Sequence, residues 1–154
     1  MKGLDEIDKK ILMLLQENSR ITNKELSEQL GLSTTPIFER VKKLEKSGMI
    51  TKYVALLDRK LAGKDLLALI AISLKQHSRP LINSFMNQIN ALPEVLEFFH
   101  TTGKSDFIIK VAIADMEEYQ DFILNKLSSI DEVANLETSF VMSEIKSSTA
   151  LVLN

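Results

Sequence analysis

A two-domain α+β architecture is predicted by three features of the chain. Residues 21–50, ITNKELSEQLGLSTTPIFERVKKLEKSGMI, read as two short capped helices around a glycine turn. Beyond Asp65 the helical period gives way to apolar runs interleaved with amphipathic stretches, in the order β-α-β-β-α-β. Charge divides at about the same place: residues 1–60 hold 12 Lys/Arg against 9 Asp/Glu, and residues 61–154 hold 7 against 12. The expected division is a helix-turn-helix domain over 1–56, a linker over 57–64 and a ferredoxin-like domain over 65–154.

Taken in order, the first helix spans about Asp5 to Glu17, with Leu4, Ile7, Ile11 and Leu14 on its buried face and acids near its N-terminal dipole end. Thr22 and Glu25 have capping-box spacing, Leu26 and Leu30 form one apolar edge, and Gly31 ends the second helix. Ser33, Thr34 or Thr35 can cap the third, and Pro36 suits its first turn. Ile37, Val41 and Leu44 then share a face, and Gly48 closes the helix. Residues 49–55 turn extended, as a connector or wing would. Leu66 to Leu74 is apolar at both parities and reads as a central strand buried on both sides. A helix opened by Ser78-Arg79-Pro80 carries the stripe Ile82, Phe85, Met86 and Ile89 and ends before Pro93. Val95 to Thr102 and Phe107 to Ile113 are strands around a tight turn. Asp115 and Glu118 start a helix that buries Met116, Tyr119, Ile123 and Leu127. Val133 to Ile145 is a last long strand, and Ala150 to Leu153 an edge strand. Two helices on one face of a four-stranded antiparallel sheet leave the other face needing a partner, and a second copy is the simplest cover.

On the third helix the face opposite Ile37, Val41 and Leu44 shows Thr35, Glu39, Lys42 and Lys46, with Arg40 and Lys43 beside it. That is the layout of a helix-turn-helix whose second helix enters the DNA major groove. A solvated Lys-rich face on an ordinary helical domain is the competing reading. Under the DNA reading Lys42, Lys43 and Lys46 contact phosphates or guanine, and Arg40 clamps a phosphate. Thr34 and Thr35, at the helix N-terminus, reach base edges. Glu39 accepts from a cytosine amino group or pairs with Lys42 or Lys43. Phe38 packs against the first helix. The basic excess of the first 60 residues is small, so two such units bound together are needed for firm DNA binding.

Composition narrows the alternatives. The chain has no Cys, which excludes thiolate chemistry and Cys-based metal sites, and only His77 and His100 could supply imidazole. No metal or cofactor is expected. No segment has the length and apolarity of a membrane span, and the charged N-terminus is unlike a signal peptide, so a cytoplasmic protein is expected. An enzyme would need a nucleophile–base or carboxylate pair in a cleft. Asp106 beside His100 is the only pair worth naming, and no enzymatic role is expected.

The whole layout resembles the leucine-responsive/asparagine-synthase-regulator (Lrp/AsnC) family of feast/famine regulators. The likeness rests on LDEIDKKILMLLQENSRITNKELSEQLGLS, TPIFERVKKLEKSGMI, TTGKSDFIIKV and FVMSEIKSS. It implies a sequence-specific, nucleoid-associated regulator of amino-acid metabolism on a pseudo-palindromic DNA operator. It further implies a RAM-type C-terminal domain that dimerises and assembles, commonly to octamers, with an amino acid as effector. An effector-independent architectural DNA-binding protein is the alternative.

The turn Thr101-Thr102-Gly103-Lys104-Ser105-Asp106 is the second candidate site. Free backbone N–H groups can cradle a carboxylate, and an Asp can hold an ammonium, so the turn suits a zwitterionic amino acid. Asp106 capping its own hairpin is the competing reading. In related regulators this turn lines the effector pocket at an interface between dimers, matched here at Gly103 and Asp106. Thr138 and Ser139, and with less weight His100, are the expected side-chain selectors.

Overall fold

The computed structural model describes residues 3–153. The chain forms two compact units, Met1–Leu56 with Lys146–Asn154, and Leu57–Ile145.

The first unit is built on three helices, α1 (Glu6–Glu17), α2 (Asn23–Leu30) and α3 (Thr34–Lys46). Two close their first turns with reciprocal capping boxes, Asp5 with Asp8 on α1 and Thr22 with Glu25 on α2. Each box satisfies N–H groups that a helix start leaves without partners. Gly31 ends α2 at φ +64°, the left-handed geometry that costs glycine least. Ser33 precedes α3 without a side-chain capping bond. Ile11, Leu12, Leu26, Ile37 and Leu44 form the buried core, and Leu4, Ile7, Leu14 and Val41 pack on it partly buried.

The chain's C-terminal end also belongs to this unit, where an edge strand of the second domain was expected. Gln16 donates to the Leu151 carbonyl at 3.1 Å and accepts from the Leu151 N–H at 2.6 Å. Leu153 packs on the helical core. A side-chain amide thus supplies the donor and acceptor that a neighbouring strand would have offered.

The second unit contains β1 (Leu66–Leu74), α4 (Arg79–Asn90), β2 (Val95–His100), β3 (Phe107–Ile113), α5 (Met116–Asp121) and β4 (Val133–Phe140). Its four strands lie antiparallel in the order β2-β3-β1-β4. This is the expected ferredoxin-like arrangement. Helix α5 continues as a π-helical segment, Phe122–Leu127. The wider turns keep Phe122 and Leu127 on one buried face, while Met116 stays half-exposed at the helix start, contrary to the stripe expected there. Met86 on α4 is likewise more exposed than expected. Strand β4 is shorter than expected because its partner runs out: the Val141 N–H bonds the Leu67 carbonyl, one residue from the start of β1.

One parity of each strand faces the helices. Ala68, Ile70, Ile72 and Leu74 of β1 and Phe107, Ile109, Val111 and Ile113 of β3 join Phe85, Ile89, Phe122 and Leu127 in one core. Rings of Phe85, Phe98 and Phe107 pack at centroid distances of 4.9 to 6.0 Å. The opposite parity of β1 is less covered within the chain, and Leu69 is 42% exposed.

Candidate nucleic-acid interface and effector turn

Thr34, Thr35, Glu39, Lys42, Lys43 and Lys46 are all exposed on α3. Glu39, Lys42, Lys43, Lys46 and Ser47 line one shallow groove along the helix. The Thr34 hydroxyl lies 3.3 Å from that of Ser27, tying the start of α3 to α2. Among the described residues, Lys42, Lys43 and Lys46 have no acidic partner, and the expected pair between Glu39 and a lysine does not form. Phe38 is 46% exposed, and the Lys42 ammonium sits 5.7 Å from its ring centroid. That contact holds Lys42 near the outward face without neutralising it.

Arg40 departs from the expected phosphate clamp. Its Nη1 donates to Asp5 Oδ2 at 2.6 Å and to Asp8 Oδ1 at 2.7 Å. Asp8 is buried and Arg40 half-buried, so the guanidinium is turned inward against the start of α1. Bonds to Asp8 and then Asp5 push the Arg40 pKa up. The Asp8 N–H, followed by Arg40, holds the Asp5 carboxyl below its ordinary range.

Behind α3, Tyr53 donates to Glu45 at 2.9 Å. Burial, seconded by that bond, pushes its phenol up to about 12. The extended residues after α3 are thereby fastened to the helix they follow.

In the second unit the turn between β2 and β3 is held by the Thr101 N–H on the Asp106 carbonyl and by the Thr101 hydroxyl on the Ser105 carbonyl. Gly103 takes φ +125°, which favours glycine. The N–H groups of Thr102, Gly103, Lys104 and Ser105 meet no acceptor among the described residues. The Asp106 side chain caps the end of β1 and not its own hairpin: Oδ2 accepts from the Leu74 N–H at 2.8 Å, and Oδ1 lies 2.8 Å from His77 Nε2. The Leu74 N–H is the main cause that holds this carboxyl below its ordinary range, with His77 and the more distant His100 assisting against partial burial.

Thr138 and Ser139 do not join the turn within one chain. Thr138 pairs with Ile70, four residues from Leu74, which at strand spacing is about 13 Å away. It accepts from the Tyr119 hydroxyl at 2.8 Å on the helix-covered face, so Ser139 points to the other. His100 is exposed at the end of β2, with its ring stacked on that of Phe107 at 4.5 Å. His77 was not anticipated. It lies just past β1, and the register Ile72↔Phe107 carries it to the turn.

Comparison with known proteins places this geometry. The family model of the Lrp/AsnC ligand binding domain matches residues 67–151, and that of a winged helix-turn-helix DNA-binding domain matches residues 4–51. The chain belongs to the Lrp/AsnC family. It is 41% identical over 152 residues to the leucine-responsive regulatory protein of Haemophilus influenzae, covering 99% of this chain and 92% of that protein. The transcriptional regulator AzlB of Bacillus subtilis is 37% identical over 151 residues, 98% of this chain and 96% of the relative. A transcriptional regulator of Neisseria meningitidis, solved as its L-Met complex, superposes with a TM-score of 0.95 at 39% identity, covering 99% and 98% of the two chains. Lrp/AsnC members are transcriptional regulators rather than enzymes, and this chain is one of them. Among the described residues no helix is long and apolar enough to cross a membrane.

Proposed function

We propose that this Lrp/AsnC protein is a sequence-specific regulator of amino-acid metabolism whose DNA binding or assembly responds to an amino acid. The observation that carries the reading is one chain holding both an unneutralised basic recognition helix and a turn of free N–H groups beside a carboxylate. Thr34 and Thr35 read base edges, Lys42, Lys43 and Lys46 take phosphates or guanine, and Glu39, left without a lysine partner, faces cytosine. The domains divide as 1–56, 57–64 and 65–154 for DNA binding, linker and effector binding, with the last few residues returning to brace the first domain. The protein works in the cytoplasm on the nucleoid.

The effector's carboxylate sits on the turn N–H groups of residues 102–105 and its ammonium on Asp106, where it competes with His77 for Oδ1. Thr101, Lys104 and Ser105 frame the turn. The L-Met complex of the meningococcal relative supports this ligand class. Thr138 and Ser139 reach such a site only from another copy of the chain. The less covered parity of β1, on which Leu69 is exposed, favours a homodimer formed sheet to sheet, assembling further to an octamer on a pseudo-palindromic operator. One observation favours the architectural alternative: both Asp106 oxygens already have partners within the chain.

A thermal-shift screen of the full chain against the twenty amino acids tests the proposal, with Asp106→Asn as control because Asn still accepts from the Leu74 N–H. A ligand at a hundredfold excess over Kd adds about 2.7 kcal/mol to stability. The account expects a shift with one or a few amino acids that Asp106→Asn abolishes. No shift with any of them, from a protein that still binds DNA, selects the architectural reading.

A further inference from the structure

We propose that Arg40 is a positioning residue for DNA reading: it locks the recognition helix to the start of α1 through Asp5 and Asp8 and takes no phosphate. The acceptors are in place before the guanidinium arrives. Asp5 Oδ1 accepts the Ile7 and Asp8 N–H groups at 2.9 and 2.8 Å, and the Asp8 carboxylate receives the Asp5 N–H at 3.4 Å. The remaining oxygens, Asp5 Oδ2 and Asp8 Oδ1, both point at Arg40 Nη1. The capping box that starts α1 is therefore also the socket that seats α3.

Charge and direction both separate Arg40 from the phosphate. Two carboxylates face one guanidinium, so the cluster carries net negative charge and repels an approaching anion. At 100° per residue, Arg40 lies about 130° around α3 from the middle of the face formed by Thr35, Glu39, Lys42 and Lys46. It lies much nearer the core face of Ile37, Val41 and Leu44. Without Arg40 the buried Asp8 keeps a charge with no counterpart, and α3 loses its ionic tie to α1. Base contacts feel a small change in helix setting more than phosphate contacts do, because only the former depend on edge-by-edge register.

The test uses the full chain and two fluorescent duplexes, one selected from a random pool by the wild-type protein and one of random sequence. Binding is followed across a salt series for Arg40→Ala, Arg40→Lys, Asp8→Asn and the double variant Arg40→Ala/Asp8→Asn. Asp5→Asn serves as a milder substitution if any of these fails to fold. The proposal expects Arg40→Ala to weaken the selected duplex about tenfold, the scale of one lost base contact, with the random duplex and the salt slope little changed. Asp8→Asn should reproduce part of the loss, the double variant should be no worse than Arg40→Ala, and Arg40→Lys should recover part of it. A slope shallower by about 0.9 per helix in Arg40→Ala, with Asp8→Asn without effect, makes Arg40 a phosphate contact and overturns the proposal. Unchanged affinity for both duplexes in folded variants that merely melt earlier overturns it as well.

Discussion

Replacing Lys42 by Ala probes the recognition helix where its electrostatics are simplest. The Lys42 ammonium is exposed, has no carboxylate partner among the described residues, and is held outward over Phe38. Each lysine that neutralises one phosphate contributes about 0.9 to the slope of log Kobs against log salt. Between 50 and 200 mM salt, one such contact costs the wild type about 3.5-fold in affinity that the variant does not lose. Removing Lys42, Lys43 and Lys46 together raises that differential to about fortyfold per helix, if all three meet phosphates. Fluorescence anisotropy of a labelled duplex through the salt series reads both quantities directly. Lys42→Ala should weaken selected and random duplexes alike and flatten the slope. A Lys42→Ala slope equal to that of the wild type would refute the assignment. A loss confined to the selected duplex would instead make Lys42 a base reader.

Three further outcomes follow from the packing and the titrating groups. Phe85, fully buried between Phe98 and Phe107, should cost about 3 to 5 kcal/mol when cut to Ala, read from urea unfolding of the full chain. Asp106 has a folded pKa below its ordinary 3.8, so its contribution is complete above that value and vanishes as pH falls through the depressed one. Asp106→Asn should therefore flatten the acid limb of urea midpoint against pH, and an unchanged limb counts against the Leu74 and His77 bonds. The Tyr53 phenol is raised to about 12, so the stability it contributes persists below the ordinary value of 10 and is lost as pH rises toward 12. In Tyr119→Phe protein, with Tyr53 the one tyrosine left, phenolate absorbance should have its midpoint near 12; a midpoint near 10 contradicts the burial of the phenol and its Glu45 bond.

What could be read from the sequence was what local physics decides. Thr22 with Glu25 and Gly31 announce α2 because a cap is settled within a few residues, and the β-α-β-β-α-β order shows in the change of period after Asp65. Features that join distant residues were out of reach. Arg40 meets Asp8 across 32 positions, His77 meets Asp106 across 29, and Gln16 meets Leu151 across 135. The Arg40 pairing left a partial trace, since its angle on α3 already turned it from the outward face. The π-helical turns that set Phe122 and Leu127 on one buried face, five residues apart, carry no comparable mark in the sequence, because they break the 3.6-residue period on which the stripe was read. For the effector turn, Gly103 and Asp106 were legible as turn chemistry. The separation of Thr138 from them depends on register and emerges only with the sheet.

The central claim is that an amino acid changes how this protein engages DNA. Its most direct test is an anisotropy titration of a wild-type-selected duplex, with and without a saturating mixture of the twenty amino acids at constant salt and pH. The account predicts a change of about 5- to 150-fold in affinity, or of comparable weight in assembly on the duplex, reversed by dialysis. Superimposable curves with undiminished DNA binding would contradict it and leave a DNA-binding protein that does not sense amino acids.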